Sequence, residues 1–159
     1  MLDPVAAICD TSRAILHTQH ASWKEIVAGL GPDALNWKPG EHTNSIAALL
    51  SHTLESERFQ VATAADTEIP REREAAFRVT ASSADELLSL LDEMEKDVDG
   101  YIAVLNGDHL SHEVTRTTRT RTGLGWLLNA IAHSREHLGQ AYLTRQLWEQ
   151  QARGPIRSQ

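Results

Sequence analysis

The sequence predicts an all-α fold, an antiparallel four-helix bundle with long connectors, and three observations carry that prediction. Four separate stretches repeat apolar residues every three or four positions, as one face of a helix requires. Helix start and stop residues stand at their ends. No stretch alternates apolar and polar residues well enough to read as a strand. At 159 residues the chain is expected to form one domain over 1–159. Such a chain buries roughly 70% of its unfolded surface and needs neither disulfide nor metal merely to fold. A metal site in it therefore calls for a functional explanation first.

The first helix opens at Asp3-Pro4, an N-cap followed by proline where its missing N–H costs nothing. Ile8, Ser12, Ile15, Gln19, Trp23, Ile26 and Leu30 mark its inner face, and Gly29, Gly31 and Pro32 end it. A turn-rich connector, Asn36-Trp37-Lys38-Pro39-Gly40-Glu41-His42, leads to Asn44 or Ser45, either of which can cap the second helix. That helix runs from about Ser45 to Ala65, with Ile46, Leu49, Leu50, Thr53 and Leu54 on its main apolar face.

A connector containing Pro70 follows. Ser83-Ala84-Asp85-Glu86 fits a capping box, in which serine and glutamate each satisfy an orphan N–H. Leu87, Leu90, Leu91, Met94, Val98, Ile102 and Leu105 then keep helical period, and Asn106-Gly107 stops the third helix. After a Thr/Arg-rich loop, the last helix spans about Gly123 to Gln151, before a Gly154-Pro155 break. Two connectors of about fifteen residues are long for a bundle and are expected to cross an end of it.

The composition narrows the function. The formal net charge is −7, from 22 acidic against 15 basic residues, which opposes nucleic-acid binding. Arg116, Arg119 and Arg121 are the only candidate basic patch, and threonines rather than aromatic residues separate them. No stretch reaches about 18 consecutive apolar residues, so no membrane span is expected. A single cysteine, Cys9, and an N-terminus interrupted by Asp3 and Asp10 point to a reducing, cytoplasmic setting.

The histidines carry the chemistry. His133 and His137 are four apart on the last helix, so both imidazoles lie on one face, one turn apart, and can grip one ion. Their stripe reads Trp126, Ala130, His133, His137, Gln140, Thr144 and Leu147, a bundle seam. Leu127, Ile131, Leu138 and Tyr142 form a second stripe beside it. The helix is thus expected to be buried over more than half its circumference, in part within a dimer. The plainer reading is two histidines satisfied by polar neighbours, but few polar residues lie in that seam to serve four ring nitrogens. His52 is the third candidate, on a narrower stripe with Ala48, Ser56 and Phe59. That stripe faces either a neighbouring helix or water, and periodicity does not decide between them.

Two segments resemble one family. Asn36-Trp37-Lys38-Pro39-Gly40 with Ser45-Ile46-Ala47-Ala48-Leu49-Leu50-Ser51-His52 is similar to the start of DinB-like (YfiT-like) metalloenzymes. Trp126 to Gln140, containing His133-Ser134-Arg135-Glu136-His137-Leu138-Gly139-Gln140, resembles their His-x3-His-x-Gly-Gln signature. Members are four-helix bundles, often homodimers, whose three histidines hold nickel, zinc or iron. The resemblance implies that His52, His133 and His137 are metal ligands here. It further implies metal-dependent chemistry on a small molecule, with a low-molecular-weight thiol as co-substrate: a thiol S-transferase or isomerase, or a hydrolase. The competing class is a non-catalytic, dimeric metal- or ligand-binding stress protein.

Three neutral imidazoles leave coordination positions open, as catalytic sites do. Such a position acidifies a bound water or thiol. Glu55, Ser56, Asn129 and Gln140 lie within a turn of a ligand and are placed to orient one. Trp126 can line the pocket, and Arg116, Arg119 or Arg121 can bind a thiol's carboxylate.

The same residues also match the His-x-x-Glu-His pattern of inverted zinc proteases, with Glu136 as base. Their carboxylate ligand would have to be Glu149, on the same helix and roughly 18 Å further along, so Glu136 reads instead as a solvated or interface charge. Cys9 reads as a small core residue. His17 and His20 read as surface or seam residues, and His109 and His112 as solvated. Trp23, Trp37 and Trp148 read as core or interface anchors.

Overall fold

Three of the four long helices begin where a side chain takes up a backbone N–H that the helix cannot pair. The structure is a computed structural model that describes residues 3–71 and 73–153. In chain order its elements are α1 (Pro4–Val27), α2 (Pro32–Asn36), α3 (Ile46–Ala64), α4 (Arg73–Ala76), α5 (Ala84–Ala103), α6 (Gly107–Ser111), β1 (Glu113–Arg116), β2 (Arg119–Thr122) and α7 (Gly123–Arg153). Asp3 accepts from the Val5 N–H at 3.0 Å, Ser45 from Ala48 at 3.2 Å and Ser83 from Glu86 at 3.2 Å. The capping box is not reciprocal: Glu86 reaches back to the backbone N–H and hydroxyl of Ser82, one residue earlier than expected. The Gly154-Pro155 break lies outside the described residues.

The four long helices form a bundle in which α3 and α1 each pack between α5 and α7. Pairings along the interfaces set the directions. Arg13 and His17 meet Asp99, while Lys24 meets Asp92, so α1 and α5 run antiparallel. His52 meets His133 and Gln60 meets Asn129, so α3 and α7 do too. Gln19 meets Ile131 and Arg145 meets Ile26, so α1 and α7 run parallel.

One apolar cluster joins the start of α1 with the ends of α3 and α5. A second joins the end of α1 with their starts, so α3 and α5 also run parallel. Consecutive parallel helices need a connection that returns along the bundle, and residues 65–83 make it. This crossover runs down the side of α3: Arg71 stacks over Phe59, Phe77 over His52, and Asn36 clamps both backbone groups of Ala81. The long connector thus crosses the side of the bundle rather than its end.

Burial departs from the periodicity in instructive places. On α1 the apolar face is rotated: Leu16 is fully buried, whereas Ile15 is 39% exposed. All residues of α3 except Glu55 and Arg58 are buried, because helices cover two sides and the crossover a third. By contrast α7 is less covered than its apolar girth suggests. Its deepest residues are Trp126 and Ala130 from the first predicted stripe, Leu127 and Leu138 from the second, and Ser134 and Ala141 between them, while Tyr142 and Leu143 are exposed.

The Thr/Arg-rich segment is a β-hairpin, not a loop, with Glu113↔Thr122 and Arg116↔Arg119 as its outer and inner pairs. Four-residue strands with one buried side chain, Val114, are too short to show a period. Gly123 lets α7 start directly behind the hairpin. A Cβ there would lie 2.0 Å from the carbonyl oxygen of His109 and 2.9 Å from that of Ala64.

Candidate metal centre

α7 presents His133 and His137 one turn apart, and α3, antiparallel beside it, presents His52 between them. The ring centroids of His133 and His137 are 4.5 Å apart, and that of His52 lies 5.1 and 5.0 Å from theirs. The nitrogens converge further. Nε2 of His133 is 3.3 Å from Nε2 of His52 and 3.2 Å from Nε2 of His137. A tetrahedral ion with ~2.05 Å bonds separates imidazole nitrogens by about 3.3 Å, so the spacing matches two edges of such a site.

Hydrogen bonding accounts less well for the cluster. Nε2 of His133 offers one lone pair or one hydrogen and faces two nitrogens, so at most one contact is satisfied well. His137 Nδ1 lies 2.8 Å from Gln140 Oε1. An amide oxygen only accepts, so the ring hydrogen sits on Nδ1 and the Nε2 lone pair faces the cluster.

His52 and His133 are held neutral. Burial leads in depressing His52 to about 3, helped by His137, His133, Arg73 and Arg71. Burial also leads in bringing His133 to about 4, followed by the neighbouring His137. Lone pairs are therefore available at neutral pH, and the group is able to take a metal ion.

A cavity of roughly 630 Å³ opens on the His52 and His133 side. One wall is a polar row from α3 to α7: Asn129 donates to Gln60, which donates to Ser56 at 3.1 Å. Trp126, anchored by its Nε1 donating to the Val114 carbonyl at 3.0 Å, forms the end of that wall. The crossover and the hairpin turn supply the remainder, including Arg71, Arg73, Arg78 and Arg119.

Among the residues singled out from sequence, His52, His133 and His137 come together, and Gln140 touches His137. Ser56, Trp126 and Asn129 line the cavity without a hydrogen bond to a histidine. Glu55 lies 3.9 Å from Arg71 instead. Of the hairpin arginines only Arg119 reaches the cavity. Arg116 pairs with Asp66 at 3.1 Å, and Arg121 stacks 5.1 Å over Trp126. Glu136 is exposed and Glu149 pairs with Arg145 at 2.9 Å, so neither carboxylate of the protease pattern joins the cluster. Cys9 and Trp23 are core residues, Trp37 packs on Trp148, and His109 and His112 sit in and after α6.

Sequence reasoning missed Gln60, Phe77 and three cavity arginines. Gln60 had a signal, since it extends the His52 and Ser56 stripe by one turn. The crossover residues had none, because an irregular segment has no period. Of the two readings of His20, surface or seam, the structure shows the seam, and only its carboxylate partners were missed. His20 is buried, with Nε2 2.7 Å from Glu57 and Nδ1 2.9 Å from Glu95.

The sequence profile of the DinB superfamily matches residues 15–141. The fold is similar to the crystal structure of a conserved protein from Enterococcus faecalis, with TM-score 0.73, 21% identity, and 87% of this chain and 95% of that one covered. It is also similar to a DinB-like protein from Bacillus subtilis, with TM-score 0.70, 18% identity, and 88% and 92% covered. No curated protein sequence matches the chain.

Proposed function

The chain belongs to the DinB superfamily, and we propose that His52, His133 and His137 hold one divalent ion, nickel, zinc or iron, for chemistry on a small molecule. The observation that carries this reading is the convergence of three imidazoles, with Nε2 of His133 at tetrahedral-edge spacing from Nε2 of both His52 and His137, beside an open cavity. The finer reading is a thiol-dependent S-transferase or isomerase, with hydrolysis as its nearest variant. A bound ion supplies Lewis acidity there, which lowers the pKa of a thiol or water ligand.

The protein's own groups do the remainder. His137 is held in one tautomer by Gln140. Phe77 lies 3.8 Å over the His52 ring and shields that side of it from water. Asn129, Gln60 and Ser56 offer hydrogen bonds along the wall a substrate would follow.

A second reading, a dimeric metal- or ligand-binding protein without turnover, draws on the outer face of α7. Leu128, Tyr142 and Leu143 are 53%, 40% and 56% exposed there, a surface suited to a homodimer. Elemental analysis of untagged protein beside His52→Ala and His137→Ala tests the site. Near-stoichiometric metal, lost in both variants with helicity kept, supports it; little metal in the wild type after reconstitution overturns it. Turnover dependent on an added thiol, and lost in His52→Ala, separates the enzyme from the binding protein.

A further inference from the structure

The wall of the cavity opposite the helices is cationic in a protein whose net charge is −7. Arg71, Arg73, Arg78 and Arg119 line it, and among the described residues Glu74 is the one acidic lining group. Glu55 lies beside Arg71 at 3.9 Å, which among the described residues leaves four arginines against two glutamates. Burial disfavours the charge of Arg71 most, Glu55 favours it, and Arg73 and Arg119 disfavour it further, so the net shift is downward. The buried Nε of Arg71 has no hydrogen-bond partner.

Clustered like charges repel one another, and Glu55 and Glu74 offset the four arginines only in part. A cationic cluster in a concave, partly desolvated site concentrates anions. Guanidinium groups also match the planar, paired oxygens of carboxylate and phosphate better than a point charge does.

The geometry points to an anion subsite: Arg71, Arg73, Arg78 and Arg119 bind a small molecule carrying two oxyanion charges and present it to the His52–His133 side of the cavity. The identity of that molecule as a substrate or co-substrate rests on the metal-dependent reading above. The subsite itself rests on the arginines alone. The crossover and the hairpin supply these arginines, so ligand selection and metal ligation belong to different parts of the chain.

Calorimetric titration of the full chain, as purified and after metal removal, tests this with succinate, glycerol 2-phosphate and neutral succinamide. One of the two dianions should bind in both metal states, more weakly at higher salt, and succinamide should not. Which dianion binds tells dicarboxylate from phosphomonoester. The exposed Arg73→Gln/Arg78→Gln pair, and separately Arg119→Gln, should weaken binding by about tenfold or more, while His133→Ala retains it.

Binding of neither dianion, equal binding of succinamide, or loss in His133→Ala with full retention in the arginine variants overturns the subsite. The metal reading fails separately, by absence of metal in the wild type. A protein that binds the dianion but no metal would keep the subsite and lose the proposed metal centre.

Discussion

One face of α3 carries His52 towards two other histidines, and another carries Glu57 towards His20. His52 and His20 are both buried, yet their charge states diverge. His52 meets imidazoles and nearby arginines, so burial and positive neighbours hold it neutral. Burial also pulls His20 down, but hydrogen bonds and negative charge from Glu57 and Glu95 outweigh it, and its pKa is raised. Burial alone does not decide how a histidine behaves; the sign of its partners does. His20, bonded at both ring nitrogens by carboxylates, is a protonated crosslink from α1 to α3 and α5. The three-histidine cluster is a set of lone pairs facing one another, ready for a cation.

The sharpest way to break this comparison is to remove one member of each set. His133→Ala removes the nitrogen that faces both others and should lower metal affinity more than about a hundredfold, since even an outer partner of a ligating histidine is worth 10–100-fold. Competition with a chromophoric chelator measures it. Glu57→Leu should leave metal content unchanged and destabilise the fold by about 3 kcal/mol in urea denaturation, the usual cost of breaking a buried pair. A large loss of metal in Glu57→Leu would show that the two sets are not independent. Gln140→Ala frees the His137 ring without removing a ligand, and should weaken metal binding by only about tenfold.

Titration divides the sets by sign. For the metal-free protein, His52 near 3 and His133 near 4 lie below the ordinary histidine value of 6.5. Their neutral forms therefore add stability that is fully present above 6.5 and lost as pH falls, by at most about 1.4 kcal/mol per unit for each ring. His20 runs the other way: its contribution is full below 6.5 and is lost as pH rises through its raised folded value. Urea midpoints at pH 5.5, 7 and 8.5 check both signs. His52→Gln should reduce acid sensitivity in the metal-free protein, and His20→Gln should cost most at the acidic end.

Local spacing made part of this structure legible. Four amphipathic periods, the caps Asp3, Ser45 and Ser83, and the His133–His137 pair all depend on neighbours within about one helical turn, so the chain itself specifies them. The facing of His52 was not legible. A helix buried nearly all round carries no polar face against which a candidate ligand could stand out.

The hairpin, the crossover arginines and the His20–Glu57–Glu95 contact were equally hidden. Each is made by residues far apart in sequence, brought together only when α3 and α5 run parallel and residues 65–83 must return along the bundle. What the sequence by itself determined was the four long helices, without the short α2, α4 and α6, and the His133–His137 pair of the histidine site, through interactions of short range. Tertiary structure decided the rest: which histidines are neutral and which is charged, and where the arginines gather. Burial and electrostatic partnership are properties of neighbours in space, not of neighbours in the chain.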